Sequence, residues 1–99
     1  MKVELLYFDG CPSWEVTDLA LREALQRLGR TDVTIDRARV ETPQEAEARG
    51  FVGSPTVLID GRDPFSVGEE KVGLACRLFR TPTGLAGSPT VEQLMGPLS

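Results

Sequence analysis

The stretch that decides the fold covers residues 40–59 and reads VETPQEAEARGFVGSPTVLI. Near its start is Thr42-Pro43-Gln44-Glu45, a capping box with proline at the first helical position, which predicts a short helix that Gly50 ends. It closes with Thr56-Val57-Leu58-Ile59, a continuous apolar and β-branched run that predicts a buried strand. A short helix followed closely by a buried strand is therefore expected in the middle of the chain.

The sequence before this stretch predicts a strand, a long helix and a second strand. Residues 2–8 are dense in Val, Leu, Tyr and Phe and stop at the turn signal Asp9-Gly10, which indicates a buried strand. From Pro12 to Leu28 the apolar residues recur at helical spacing, so an amphipathic helix is expected. Alternation from Val33 to about Val40 predicts the second strand.

The sequence after the stretch predicts a fourth strand. Residues 62–73 contain two glycines and a proline without consistent periodicity, so they are expected to form an extended connection. The residues from Leu74 to Arg80 alternate, with Leu74, Cys76 and Leu78 on one face, which predicts a strand near the sheet edge, antiparallel to the third.

The chain is expected to end in a helix, because Thr90 with Gln93 forms another capping box ahead of helically spaced apolar residues. The predicted fold is then a single α/β domain over residues 1–99 in the order β-α-β-α-β-β-α. Its mixed four-stranded sheet would have helices on both faces.

The composition narrows the classes of function. The formal net charge is −4, and no window clusters Lys and Arg with aromatic residues, so a nucleic-acid partner is not expected. The absence of histidine excludes a histidine general base, a Ser-His-Asp triad and imidazole metal ligands. No cofactor is expected.

Two further expectations concern the compartment. Glu4 and Asp9 interrupt the N-terminal apolar run, and nothing later approaches the about 18 consecutive apolar residues of a membrane span. A cytoplasmic protein without a membrane partner is therefore expected. The two cysteines, Cys11 and Cys76, are too few for the disulfide scaffold of a small secreted domain or for a four-thiolate metal site.

The order of elements and residues 40–61 together resemble the thioredoxin-like superfamily, in which a proline-capped short helix leads into a Pro-Thr pair and an apolar strand. The resemblance implies a thioredoxin-like fold and a cis peptide bond between Ser54 and Pro55. The family's Cys-x-x-Cys motif lies where the first strand meets the first helix. This chain has Cys11-Pro12-Ser13-Trp14 there, with tryptophan in place of the second cysteine.

Cys11 is the candidate nucleophile. A cysteine at a helix start is favoured as the thiolate, its reactive form, whereas the negative charge of Asp9 opposes this. The expected function is a thiol redox protein, a possible thiol–disulfide oxidoreductase, in which Cys11 forms mixed disulfides with a small-molecule thiol or a protein thiol. An external thiol would resolve them. The opposing interpretation is that Cys11 is a small buried apolar residue.

Three other residues are candidates for substrate binding. Trp14, one turn along the helix, could cover the thiol or contact a substrate, and it could equally pack against a neighbouring loop. The resemblance implies that Ser54 and Pro55 face Cys11, since family members align a substrate chain on the backbone before the cis-proline.

Two alternative functions stay open. Cys76 is expected to be a buried structural cysteine, but if it faced Cys11 the two thiolates would favour soft cations such as Cu(I) or Hg(II). The spacing between Cys11 and Cys76 is distantly similar to the cysteine spacing in organomercurial lyases, although Trp14 occupies the position of the acidic residue in those enzymes. The other alternative is a redox-inactive interaction module, which could present Phe65 from its loop. The sequence does not indicate an oligomeric state.

Overall fold

The structure is a computed structural model that describes residues 1–66 and 72–99. Three helices and five strands follow one another in these two ranges. They are β1 (Val3–Tyr7), α1 (Ser13–Arg27), β2 (Ile35–Arg39), α2 (Pro43–Arg49), β3 (Thr56–Ile59), β4 (Phe79–Thr81), β5 (Gly84–Ala86) and α3 (Val91–Leu98).

The central sheet has three strands in the order β2-β1-β3. β1 is parallel to β2, with Leu5 opposite Arg37, and antiparallel to β3, with Leu5 opposite Val57. Successive side chains of β1 point to opposite faces of the sheet. Leu5 accordingly belongs to the core cluster that contains residues of α1 and α3, and Leu6 to a second cluster that contains Ala46 of α2. The predicted placement of helices on both faces is confirmed.

The helix ends follow the predicted capping chemistry. At α2 the Thr42 hydroxyl accepts a hydrogen bond from the Glu45 amide at 3.1 Å, and Gly50 ends the helix in the left-handed conformation at φ 65°. At α3 Thr90 and Gln93 form both bonds of the capping box. Pro12 is the N-cap of α1 and not its first helical residue, so that helix begins one position later than expected.

The predicted four-stranded sheet is wrong. The described residues form the three-stranded sheet and a separate two-stranded sheet, in which β4 pairs antiparallel with β5. Pro82 fixes a backbone dihedral suited to a tight turn, and Thr81 is paired with Gly84 across it. The chain therefore folds back on itself at this point, and β4 pairs with β5 and not with β3.

In residues 76–79 of the segment expected to form the fourth strand, the buried face is not the one that carries Cys76 and Leu78. Arg77 and Phe79 are buried, whereas Cys76 and Leu78 are exposed. The Arg77 side chain has an acidic partner and an aromatic neighbour that offset the loss of water, so the alternation of apolar residues did not identify the buried face. Residues 72–78, which form no named strand, are called the strap below.

The connection before the strap is only partly described. Of the extended connection predicted for residues 62–73, residues 67–71 lie outside the described ranges. Phe65 packs against the first core cluster and meets the Phe79 ring edge-on, with 5.6 Å between ring centroids. Within the described ranges, none of the helices has the length and apolar character needed to cross a membrane.

Candidate redox site

Cys11 lies in the turn between β1 and α1, as the sequence predicted. Its amide donates a hydrogen bond to the carbonyl oxygen of Phe8 at 3.3 Å, which closes the turn, and Pro12 then caps the helix. The residue is only 2% exposed. Cys11 is therefore buried, as the opposing interpretation of the sequence expected.

Cys11 forms a disulfide with Cys76, and the two Cα atoms are 5.6 Å apart. This separation falls in the range that disulfide geometry requires, below about 7 Å. The expectation that Cys76 is buried is wrong, because the residue is exposed. Both cysteines are within the described residues, and neither is a free thiol here.

The strap is paired with the backbone immediately before Pro55. The Ser54 amide donates to the carbonyl of Ala75 at 2.8 Å, and the Arg77 amide donates to the carbonyl of Ser54 at 3.0 Å. These two bonds form a parallel bridge between Ser54 and Cys76, which fixes the exposed cysteine opposite Cys11. The strap therefore already uses the two backbone groups of Ser54 that were expected to align a substrate.

Gly53 allows the strap to approach this closely. A Cβ atom built at Gly53 would lie 3.0 Å from the Arg77 Cβ and 3.2 Å from the Ala75 carbonyl oxygen. Its φ of 125° is also a conformation that residues with a side chain rarely adopt. A glycine directly before the Ser-Pro pair is the sequence signal for this close contact.

Arg77 anchors the far end of the strap. Its guanidinium makes two hydrogen bonds to the Asp63 carboxylate and lies 4.6 Å from the centroid of the Phe79 ring. Both partners of this ion pair are nearly buried, with side-chain exposures of 6% for Arg77 and 11% for Asp63. The sequence analysis did not select either residue, because no local pattern links an arginine to an aspartate 14 positions earlier.

Ser54 and Pro55 lie beside the disulfide but are inaccessible in this state. The peptide bond between them is cis, as the resemblance implied. Ser54 is fully buried, and its hydroxyl accepts a hydrogen bond from the Phe8 amide at 3.3 Å. Because Phe8 also accepts from Cys11, this contact ties the two sides of the site together.

Trp14 packs against the strand. Its ring stacks on Tyr7 with 4.2 Å between centroids and an interplanar angle of 24°, and it borders the first core cluster. This position fits the interpretation of Trp14 as a packed helix residue, although the neighbour is a strand and not a loop.

The charge of Asp9 is partly balanced by Arg39. The Asp9 carboxylate accepts a hydrogen bond from the Arg39 guanidinium at 2.9 Å, and Glu41 contacts the same arginine. The two carboxylates raise the pKa of Arg39 above its ordinary value, first through the hydrogen bond to Asp9 and then through Glu41. The carboxylate of Asp9 is therefore paired and not an isolated negative charge.

A cleft of about 490 Å³ lies next to the exposed end of the disulfide. Apolar and aromatic side chains supply part of its wall and two arginines supply another part. The lining residues are Val52, Phe65, Cys76, Arg77, Leu78, Phe79 and Arg80. The exposed Cys76 therefore borders this cleft, whereas Cys11 lies beneath the protein surface.

Across residues 1–66 and 72–99, no group of three or more His, Cys, Asp or Glu residues is arranged to hold a metal ion. Comparisons with protein-family models, curated proteins and solved structures found no match to this chain.

Proposed function

We propose that the protein is a thiol–disulfide redox protein whose covalent step is the formation and cleavage of the Cys11–Cys76 disulfide. One observation carries the proposal: a bond to a buried cysteine at a helix start ends at an exposed cysteine on the strap. The sequence suggested a single cysteine that needs an external resolving thiol. With both cysteines in one site, the chain itself supplies the second sulfur.

The arrangement fits exchange better than a purely structural cross-link. Exchange requires a thiolate to reach one sulfur and the other sulfur to leave as a stable thiolate. Cys76 is exposed, and Cys11 precedes the 15-residue helix α1, whose positive dipole end favours a thiolate. Complete reduction by a small thiol converts the disulfide and two thiols into two cysteine thiols and one new disulfide between the small thiols.

A redox titration tests the proposal. We expect a midpoint potential between about −120 and −270 mV, the range of proteins that exchange disulfides in their function. Full-length protein would be equilibrated in buffers of graded thiol and disulfide, and the alkylated cysteines counted by mass. Cys76→Ser is the matched control, because it keeps Cys11 and cannot form the bond. A midpoint below about −300 mV would identify a structural disulfide and contradict the proposal.

The same geometry supports a second candidate, binding of a soft metal ion by the reduced protein. With Cα atoms 5.6 Å apart, the thiolates of Cys11 and Cys76 can both reach one ion of the Cu(I) or Hg(II) class. This function requires that Cys11→Ser and Cys76→Ser each lose binding. Full retention of Hg(II) or Cu(I) affinity in either variant would exclude it.

A further inference from the structure

We propose that the incoming thiolate attacks Cys76, that Cys11 is the leaving sulfur, and that the cleft beside Cys76 favours a small thiol bearing a carboxylate. This inference rests on the proposed redox function and assigns the two cysteines different roles in it. It reverses the role expected from the sequence, in which Cys11 carries the mixed disulfide.

The difference in exposure determines which sulfur is attacked. Displacement at a disulfide needs access to the sulfur under attack. Cys11 is 2% exposed beneath the strap, whereas Cys76 is exposed and lines the cleft. The strap is held at Cys76 by the backbone bonds to Ser54, so the exposed cysteine has a fixed position.

The leaving group is also better on the Cys11 side. A sulfur with a lower thiol pKa leaves faster, and the start of a helix lowers that pKa. Cys11 is next to the N-cap of α1, whereas Cys76 lies in a segment outside any helix. Access and leaving-group stability therefore favour the same direction of attack.

The step balances as follows. A small thiolate forms a bond to the Cys76 sulfur while the Cys11–Cys76 bond breaks, and the electron pair of that bond stays on Cys11 as a thiolate. A second small thiolate then attacks the sulfur of the first small thiol in the mixed disulfide and releases the Cys76 thiolate. The small thiol is the reductant and the protein disulfide is the oxidant, so no other reactant is needed.

The wall of the cleft suits a small organic anion. Val52, Phe65 and Phe79 offer apolar surface, and the charge of Arg77 is matched by Asp63. Arg80 also lines the cleft and makes no ion pair with any described residue. Among the described residues, the positive charge of Arg80 at this cleft therefore has no acidic partner, and it would attract a thiol that carries a carboxylate.

Trapping the mixed disulfide tests the direction of attack. Oxidised wild-type protein would be mixed with excess mercaptopropionate, quenched early with iodoacetamide and mapped by peptide mass. We expect the adduct on Cys76 and the alkyl group on Cys11, with at least about a tenfold excess over the reverse product. Equal amounts, or more adduct on Cys11, would overturn the assignment of roles.

This experiment separates the inference from the proposed function. If the folded protein is reduced and the adduct is on Cys11, the redox function stands and the inference fails. If thiols fail to reduce the disulfide in the folded protein, the proposed function itself fails, and the inference fails with it.

Arg80→Gln tests the preference for a carboxylate. At low ionic strength we expect it to slow reduction by mercaptopropionate about threefold to tenfold relative to neutral mercaptoethanol, with both rates corrected for the thiolate fraction. Arg30→Gln is the control, because Arg30 lines a different groove, and it should leave that ratio unchanged. An unchanged ratio in Arg80→Gln, or an equal loss in both variants, would contradict the preference.

Discussion

The sheet framework and the strap hold their cysteines in different ways. The framework, residues 1–60, places Cys11 between a strand whose Leu5 and Leu6 are fully buried and a 15-residue helix. Among the described interactions, the strap is fixed by the disulfide, three backbone hydrogen bonds, one ion pair, an arginine–ring contact and the packing of Leu74 against the second core cluster. Most of the buried apolar side chains therefore belong to the framework, whereas the exposed cysteine of the disulfide belongs to the strap.

The largest effect is expected from damage to the framework. Leu5→Ala removes a fully buried side chain at the centre of the sheet and should lower the free energy of unfolding by about 2 to 5 kcal/mol. Leu78→Ala, on the strap at 64% exposure, should change it by less than about 0.5 kcal/mol. Urea unfolding of both variants in the oxidised state measures this difference. Similar losses would mean that the strap is part of the core.

Removal of the cross-link should have the next largest effect. The disulfide closes a loop with a sequence separation of 65, so reduction should lower the free energy of unfolding by about 2 to 4 kcal/mol, chiefly by freeing the unfolded chain. Cys76→Ser should match reduced wild type within experimental error in urea unfolding. A loss near zero would show that the disulfide does not stabilise the protein by constraining the unfolded chain.

The anchor of the strap should matter less than its covalent bond. Arg77→Gln removes the charged hydrogen bonds to the nearly buried Asp63 and should cost about 1.5 to 3 kcal/mol. Arg77→Lys keeps the charge but cannot make the bidentate contact, so its stability should lie between those of wild type and Arg77→Gln. Thermal unfolding with the disulfide intact gives the order. If Arg77→Gln is as stable as wild type, the ion pair does not hold the strap.

The smallest expected effect is a difference between redox states. Gly53→Ala brings a methyl group to 3.0 Å from the Arg77 Cβ atom and should lower the free energy of unfolding of the oxidised protein. About 1 kcal/mol of this loss should disappear when reduction releases the strap. Gly50→Ala is the control: its φ is also positive, at 65°, but nothing lies within 4 Å of the added atom. Its cost should be the same in both states. Equal costs for Gly53→Ala in both states would show that reduction leaves the strap in place.

The framework could be predicted largely from local sequence patterns. Thr42 and Gly50 mark the two ends of α2, and the apolar run Thr56–Ile59 matches β3 residue for residue. These features depend on residues that are close in the sequence, so they can be predicted without knowledge of the fold. The fourth strand was wrong because alternation from Leu74 to Arg80 identifies an extended chain but does not identify its partner.

The candidate site was only half predictable for the same reason. Cys11 could be placed at the helix start, because strand, turn and helix signals are contiguous there. The position of Cys76 depends on the pairing of Ser54 with the strap and on the Arg77–Asp63 ion pair, both of which link distant segments. Side-chain type alone suggested that a cysteine in an apolar alternation is buried, whereas the ion pair at the next residue turns it outward.

The central claim is that small thiols reach the disulfide in the folded protein, and the urea dependence of reduction tests it most directly. The rate of reduction by mercaptoethanol would be measured at urea concentrations below the unfolding transition. We predict a nearly constant rate, because attack on exposed Cys76 needs no unfolding. A logarithmic rate that rises with the full slope of global unfolding, about 1 to 3 kcal/mol per molar urea, would show that the bond is reached only after unfolding and would contradict the account.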